Sequence, residues 1–188
     1  MNNCSVQSVV YIKTMNRIRG PLKKQRGASL LEAISYLGIA AIVVIGAIAL
    51  LNGAFSSAST NAVNEQVSAI QSGVKKLYMG QPGGYGNLGN AVLASAGVFP
   101  STLTPSTGTN AVTNTWNGAV TVTGAGATFT IEYENVPRSV CVNTITAGGS
   151  WVSIGVNGKL ETALPVPPDV AATDCASDTT NSIVWTST

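Results

Sequence analysis

The fold is decided by residues 24–55, which read KQRGASLLEAISYLGIAAIVVIGAIALLNGAF. The basic residues end at Arg26, a single acid follows at Glu32, and the 19 residues 33–51 carry no charge. An uncharged apolar run of about 20 residues is long enough to cross the hydrocarbon core of a membrane as a helix. Because no second run of this kind follows, the sequence predicts a membrane protein with a single transmembrane segment.

Charge is divided unevenly on the two sides of Gly27. Residues 1–27 hold six bases and no acid, whereas residues 28–188 hold four bases and eight acids, so the net charges are +6 and −4. A basic segment next to an apolar run is typical of the cytoplasmic flank of a membrane helix, although a disordered basic tail is the alternative. We predict no nucleic-acid partner, because such a function needs a basic patch in the folded body.

The apolar pattern changes after Phe55 without a break in the helix. Five apolar residues are spaced four, three, four and three apart, which places them on one helix face: Val63, Val67, Ile70, Val74 and Leu77. Since no proline interrupts residues 28–81, we predict one helix over residues 28–79, apolar all round in its first half and amphipathic in its second.

Four glycines lie inside this predicted helix, and each weakens a helix by up to about 1 kcal/mol relative to alanine. Either close helix packing in a membrane or local melting on leaving it explains such residues. The four are Gly38, Gly46, Gly53 and Gly73.

The rest of the chain predicts an antiparallel sheet that covers the apolar helix face. A glycine-rich loop over residues 80–86 and a short helix over residues 90–96 come first. Short alternating runs then predict strands. They lie at residues 119–123, 128–134, 139–143, 151–156 and 183–186, with turns at 124–126 and 147–149. The fold class is therefore α+β, a long helix packed against a sheet.

Glu32 is an acid at the start of the apolar run. A carboxylate near the hydrocarbon boundary costs several kcal/mol unless it is paired, so we interpret Glu32 as functional rather than as resting among the lipid headgroups. It lies five residues after Gly27, and basic residues precede that glycine. This arrangement of basic residues, glycine, a small residue, apolar residues and glutamate resembles the processing site of type IV pilin precursors.

The resemblance implies a maturation and assembly pathway. An inner-membrane aspartic prepilin peptidase would cut between Gly27 and Ala28 and methylate the new Ala28 amino group. The pilus assembly machinery would then build a helical homopolymer in which Glu32 pairs with the Ala28 ammonium of a neighbour. Ala28 departs from the family pattern, because the usual first residue is larger and apolar.

The type IVb branch is similar to this chain in two respects. The 27-residue leader is long, and residues 63–100 contain Lys-Leu-Tyr, a glycine-rich loop and Phe-Pro. We therefore divide the chain into a removed leader (1–27), a transmembrane and polymerisation half-helix (28–55), an amphipathic half-helix (56–80) and a sheet-containing head (81–188).

Cys141 and Cys175 are the only cysteines after the predicted cut, since Cys4 leaves with the leader. Two cysteines in an exported domain favour a disulfide over two free thiols, and the family resemblance implies the same pair. The bond would bound a variable region at residues 141–175 and contribute about 4 kcal/mol in the chain-entropy model.

Enzymatic chemistry has little support in this sequence. The chain lacks histidine, so the commonest general base and metal ligand are missing, and we predict no catalytic residue, metal or cofactor. Residues 84–89 match a dinucleotide fingerprint, but they follow a predicted helix rather than a strand. We interpret Trp116, Trp151 and Trp185 as core or interface aromatics.

The predicted function is that of a structural pilus subunit, not an enzyme. It would occupy the inner membrane as a precursor and then an extracellular fibre that serves adhesion, aggregation or conjugation. Two alternatives stay open: a pseudopilin of a type II secretion system, which shares the N-terminus, and a secreted binding module whose ordinary signal peptide is cut near residues 56–58. The second is disfavoured because the apolar run exceeds the usual signal core.

Overall fold

The computed structural model describes residues 29–188. Helix α1 spans Leu30–Tyr78, close to the predicted limits. The predicted leader, the Gly27–Ala28 cleavage site and Cys4 lie outside the described residues. Everything from Ile45 onwards belongs to one compact unit, Ile45–Thr188, which contains the second part of α1 and all of the elements that follow it.

Three short helices and six strands follow α1 in the chain. The helices are α2 (Asn90–Ser95), α3 (Arg138–Thr146) and α4 (Pro168–Asp174). The strands are β1 (Val112–Thr113), β2 (Ala119–Ala125), β3 (Thr128–Val136), β4 (Ser153–Val156), β5 (Lys159–Glu161) and β6 (Asn181–Ser187). All strand pairs are antiparallel, and the order across the sheet is β1-β2-β3-β6-β4-β5. The predicted α+β fold class, a long helix packed against an antiparallel sheet, is confirmed.

One face of the sheet and one face of α1 form the core. Phe129, Ile131 and Tyr133 alternate along β3 and are fully buried, as the period of two predicts. Trp185 of β6 packs edge-on against Tyr133, with ring centroids 5.6 Å apart. Burial raises the pKa of the Tyr133 phenol, whose hydroxyl donates a hydrogen bond to Gln66 of α1.

The predicted helix face is confirmed for four of its five residues. Val63, Val67, Ile70 and Val74 are at most 2% exposed. The expectation for Leu77 is wrong: its side chain is 37% exposed, because α1 ends one residue later at Tyr78 and the chain turns away at Gly80.

The predicted strand at residues 139–143 is wrong, because this segment forms α3. Its buried residues are Val140, Cys141, Thr144 and Ile145, which repeat at intervals of four and face the core as a helix. A five-residue alternation was too short to distinguish the strand period of two residues from the helix period of about 3.6 residues. The turn at 147–149 therefore follows a helix, not a strand. The predicted turn at 124–126 is shorter than expected, because β2 continues through Ala125 and the chain turns at Gly126.

Sequence reasoning missed β1, β5 and α4. An Asn-Gly pair, which favours a tight turn between two strands, could have indicated β1 and β5. Asn117-Gly118 lies between β1 and β2, and Asn157-Gly158 lies between β4 and β5. Asn157 and Gly158 have φ values of 50° and 85°, the backbone that asparagine and glycine adopt in tight hairpins.

Candidate assembly surfaces

Glu32 lies in the first turn of α1. Ser29 precedes the helix, and its hydroxyl accepts a hydrogen bond from the Glu32 backbone N–H at 3.3 Å, which is half of a capping box. The Glu32 carboxylate accepts a hydrogen bond from the Tyr36 hydroxyl at 3.3 Å, one helical turn further on. A negative charge is favourable at a helix N-terminus, and Glu32 is the acid in the first turn of α1.

The first part of α1 carries large apolar side chains that nothing in the described chain covers. Leu30 and Leu31 are 80% and 78% exposed, and Phe55 is still 66% exposed. The helix is long and apolar enough to cross a membrane. Soluble monomers rarely expose apolar surfaces of this size, so the surface requires lipid or other protein chains.

The second part of α1 is fastened to the sheet by polar contacts as well as by the apolar core. Gln66 donates to the Thr102 hydroxyl at 3.0 Å. Gln71 donates to the Ser187 hydroxyl at 2.9 Å and to the Ser150 carbonyl at 3.0 Å. These glutamines tie the helix to both the sheet and the loop before β4, and sequence periodicity gave no sign of them.

Cys141 and Cys175 form a disulfide, as predicted. Cys141 lies on α3 and Cys175 directly follows α4; both are fully buried, with Cα atoms 6.0 Å apart. The bond therefore fastens the two short helices together beside the sheet. Val166 and Ala171, which lie in the chain segment closed by the disulfide, belong to the same apolar core as the sheet and α1.

A polar cluster in which Asp174 and Asn181 are buried supports the disulfide from the sheet side. Asn157 donates to the Asp174 carbonyl at 2.8 Å and to the Asn181 side chain at 2.9 Å. Asp174 is 4% exposed and accepts a hydrogen bond from the Lys159 ammonium at 2.7 Å. Sequence analysis missed this cluster, because its members are spread over 25 residues and no local pattern links them.

An apolar groove lies between the end of α1 and α2. It has a volume of about 670 Å³ and is lined by Leu77, Tyr78, Gln81, Ala91, Val92, Ser95 and Ala96. Asn90 fixes α2 on the sheet by donating to the Val120 carbonyl and accepting from the Val122 N–H. The groove therefore lies beside strand β2, to which α2 is bonded.

The remaining sequence features have structural positions. In the part of the chain that the structure describes, no three acidic, histidine or cysteine side chains gather as a metal site would require. The loop with the dinucleotide-like spacing packs on the β2–β3 hairpin, where the Tyr85 N–H donates to the Gly126 carbonyl. Trp185 is buried, and Trp116 and Trp151 pack against the core, so all three tryptophans contribute to the core.

Known proteins share this fold and sequence. A crystal structure of a type IV b pilin from Salmonella typhi superposes with a TM-score of 0.53 and 25% identity, covering 65% of this chain and 94% of that one. Two major structural subunits of bundle-forming pilus, from Escherichia coli O111:H- and O127:H6 (strain E2348/69 / EPEC), are each 28% identical over 195 residues. Those alignments cover 92% of this chain and 97% of each relative.

The family model described as PilS N terminal matches residues 57–188, the second part of α1 and the whole head. The chain belongs to the PilS family of type IVb-like pilins. As a pilin it is a structural subunit of a pilus and not an enzyme, which confirms the predicted function class. Both relatives of this pilin are structural subunits of a pilus. We therefore abandon the two alternative functions, a pseudopilin of a secretion system and a secreted binding module.

Proposed function

We propose that this pilin is the major subunit of a bundle-forming type IVb pilus. It enters the inner membrane as a precursor, is cut after Gly27 by a prepilin peptidase and is methylated at the Ala28 amine. The pilus assembly machinery then adds it to an extracellular fibre. The observation that carries the proposal is the contrast along α1, whose first part exposes apolar residues all round while its second part is built into the head.

In this proposal the chain has four segments, and their boundaries follow changes in charge and burial along the sequence. Residues 1–27 are the leader, and residues 28–55 hold the precursor in the membrane and later pack with their counterparts in the fibre. Residues 56–80 are the helix half that the head covers, and residues 81–188 are the head. Burial supports this division, because the first buried residue of α1 is Thr60.

Glu32 would pair with the Ala28 ammonium of a neighbouring subunit. Among residues 29–188 Glu32 forms no salt bridge, and its carboxylate is exposed apart from the Tyr36 contact. Packing apolar helices together buries both the carboxylate and the new amine, and each is costly to bury alone. Pairing removes that cost and favours the register in which the two groups meet.

The substitution Glu32→Gln tests this pairing. It keeps the shape of the side chain but leaves the Ala28 amine without a counter-charge, a loss of a few kcal/mol at each subunit interface. We expect membrane insertion and processing to continue while sheared fibres nearly disappear. The measurement compares precursor, membrane-pool subunit and sheared fibre on the same immunoblots.

The matched control is Glu65→Gln, which makes the same chemical change at an exposed position further along α1. It should leave the fibre yield unchanged. Normal fibres from the Glu32→Gln strain would defeat the pairing. Loss of the subunit from the membrane pool would instead assign Glu32 to insertion or folding.

A further inference from the structure

Tyr36 contacts the Glu32 carboxylate directly. Its hydroxyl donates a hydrogen bond to one carboxylate oxygen, Oε1, at 3.3 Å, and the two residues lie one turn apart on the same helix face. Ser29 bonds the Glu32 backbone N–H instead, so it does not orient the carboxylate. Among residues 29–188 the second oxygen, Oε2, accepts no hydrogen bond and forms no ion pair. One carboxylate oxygen is therefore held, and the other is left for a partner.

The apolar run offers few polar groups that could bind Glu32. Residues 33–51 contain two polar side chains, Ser35 and Tyr36. The Ser35 hydroxyl is already engaged, because it donates to the Leu31 carbonyl at 2.8 Å. The Tyr36 side chain is 63% exposed, so packing within the described residues does not account for a tyrosine at this position. The contact that accounts for it is the hydrogen bond from its hydroxyl to Glu32.

The carboxylate needs a hydrogen-bond donor most before assembly. In the proposed function, Glu32 waits at the hydrocarbon boundary of the membrane, where an unpaired carboxylate is costly. A hydroxyl that donates to a carboxylate forms a charge-assisted hydrogen bond, which is stronger than a bond between neutral groups. The bond also restricts a flexible side chain in advance, so less side-chain entropy is lost when a partner binds.

We propose that Tyr36 is a positioning residue for pilus assembly, which holds the Glu32 carboxylate in place for the Ala28 ammonium of the next subunit. Oε1 keeps its bond to the Tyr36 hydroxyl, and Oε2 receives the ammonium. This inference rests on the proposed function, because cleavage of the precursor supplies the amine. It adds a second residue to the pairing and gives Glu32 a partner while the subunit is still in the membrane.

An aromatic anchor is the alternative role for this tyrosine. Tyrosine rings are enriched at membrane–water interfaces, where they fix the depth of a helix in the bilayer. Anchoring depends on the amphipathic ring and not on Glu32. The two roles therefore differ in whether the effect of removing the hydroxyl depends on the side chain at position 32.

The substitution Tyr36→Phe removes the hydroxyl and keeps the ring. We expect normal insertion and processing, with a yield of sheared fibres about tenfold lower, because a hydrogen bond to a charged group is lost. Tyr78→Phe makes the same change at the other end of α1, where the ring packs against Tyr85, and should leave the yield unchanged. A normal fibre yield from Tyr36→Phe, or loss of this variant from the membrane pool, would overturn the proposal.

A double-mutant cycle with Glu32→Asp separates positioning from anchoring. Aspartate keeps the charge but is one methylene shorter, which takes the carboxylate out of reach of the Tyr36 hydroxyl. Adding Tyr36→Phe to Glu32→Asp should lower the fibre yield by less than about twofold, against about tenfold in the parent. An equal fold-loss in both backgrounds would refute the positioning role. Normal fibres from Glu32→Gln would instead refute the pairing with Ala28, on which the proposed function depends.

Discussion

Asp174 is a buried charge beside the disulfide of this pilin. One carboxylate oxygen is bonded to the Lys159 ammonium, while the other, Oδ2, is buried without a hydrogen-bond partner. Half of the Lys159 side chain is exposed, so the ion pair joins an internal acid to a cation at the surface. Asp174 directly precedes Cys175, and its ionic partner therefore helps to hold the disulfide region against β5.

Removing the cation should be costly because the acid remains buried. We expect Lys159→Met to lower the free energy of unfolding by about 2 kcal/mol, less than for a fully enclosed pair because Lys159 is half exposed. Guanidinium unfolding of the detergent-solubilised subunit, followed by tryptophan fluorescence, measures the change. Lys75→Met removes a lysine that forms no ion pair within residues 29–188, and it should stay within about 0.5 kcal/mol of the parent. Equal effects of the two substitutions would show that the Asp174 ion pair contributes nothing.

At the scale of elements, α3 and α4 depend on each other through Cys141 and Cys175. Each helix is short, with nine and seven residues, and helices of this length are not stable alone. The disulfide closes 35 residues of chain, counting both cysteines, which removes freedom from the unfolded state.

Breaking the disulfide should destabilise the head by about 4 kcal/mol in the chain-entropy model. Cys141→Ser and Cys175→Ser remove the same bond, so each should lower the free energy of unfolding by a similar amount and reduce fibre yield. Peptide mapping without reductant should find the two cysteines linked in the parent protein. Two free thiols in native fibres, or an unchanged unfolding midpoint in both variants, would contradict this expectation.

The loop after α1 depends on a close backbone approach at Gly124 of β2. A β-carbon there would run into the Tyr85 carbonyl oxygen and come within 2.8 Å of the Leu88 β-carbon. Since a backbone carbonyl cannot move aside as a side chain does, Gly124→Ala should cost about 2 kcal/mol in unfolding free energy. Gly89→Ala is the control, because nothing lies within 4 Å of a β-carbon there, and it should change stability little. Similar values for both variants would show that the loop adjusts freely.

Elements with a long, repeated pattern could be predicted from the sequence, whereas short ones could not. The face of α1 repeats over four turns, and β3 alternates from Thr128 to Tyr133, so both were found. α3 was mistaken for a strand because Val140 and Val142 alternate locally, while the pairing of its buried residues with α4 depends on a distant cysteine. β5 has only three residues, and the groove between α1 and α2 arises from packing that no local pattern encodes.

At the scale of the whole molecule, the proposed maturation would convert a membrane protein into a polymer subunit. The apolar first part of α1 suits both a bilayer and the interior of a fibre, so the same surface serves before and after assembly. In the proposed pathway, cleavage would create a new amine at Ala28, which would give Glu32 a partner of opposite charge. The account therefore depends most on where the mature chain begins.

The intact mass of the subunit from sheared fibres tests this claim most directly. We expect one species that begins at Ala28, is lighter by the 27 leader residues, contains one disulfide and carries a methyl group on its N-terminus. Gly27→Leu serves as the control and should leave the uncut precursor in the inner membrane. A fibre subunit that still begins at Met1, or one that begins near Ser59, would contradict the account.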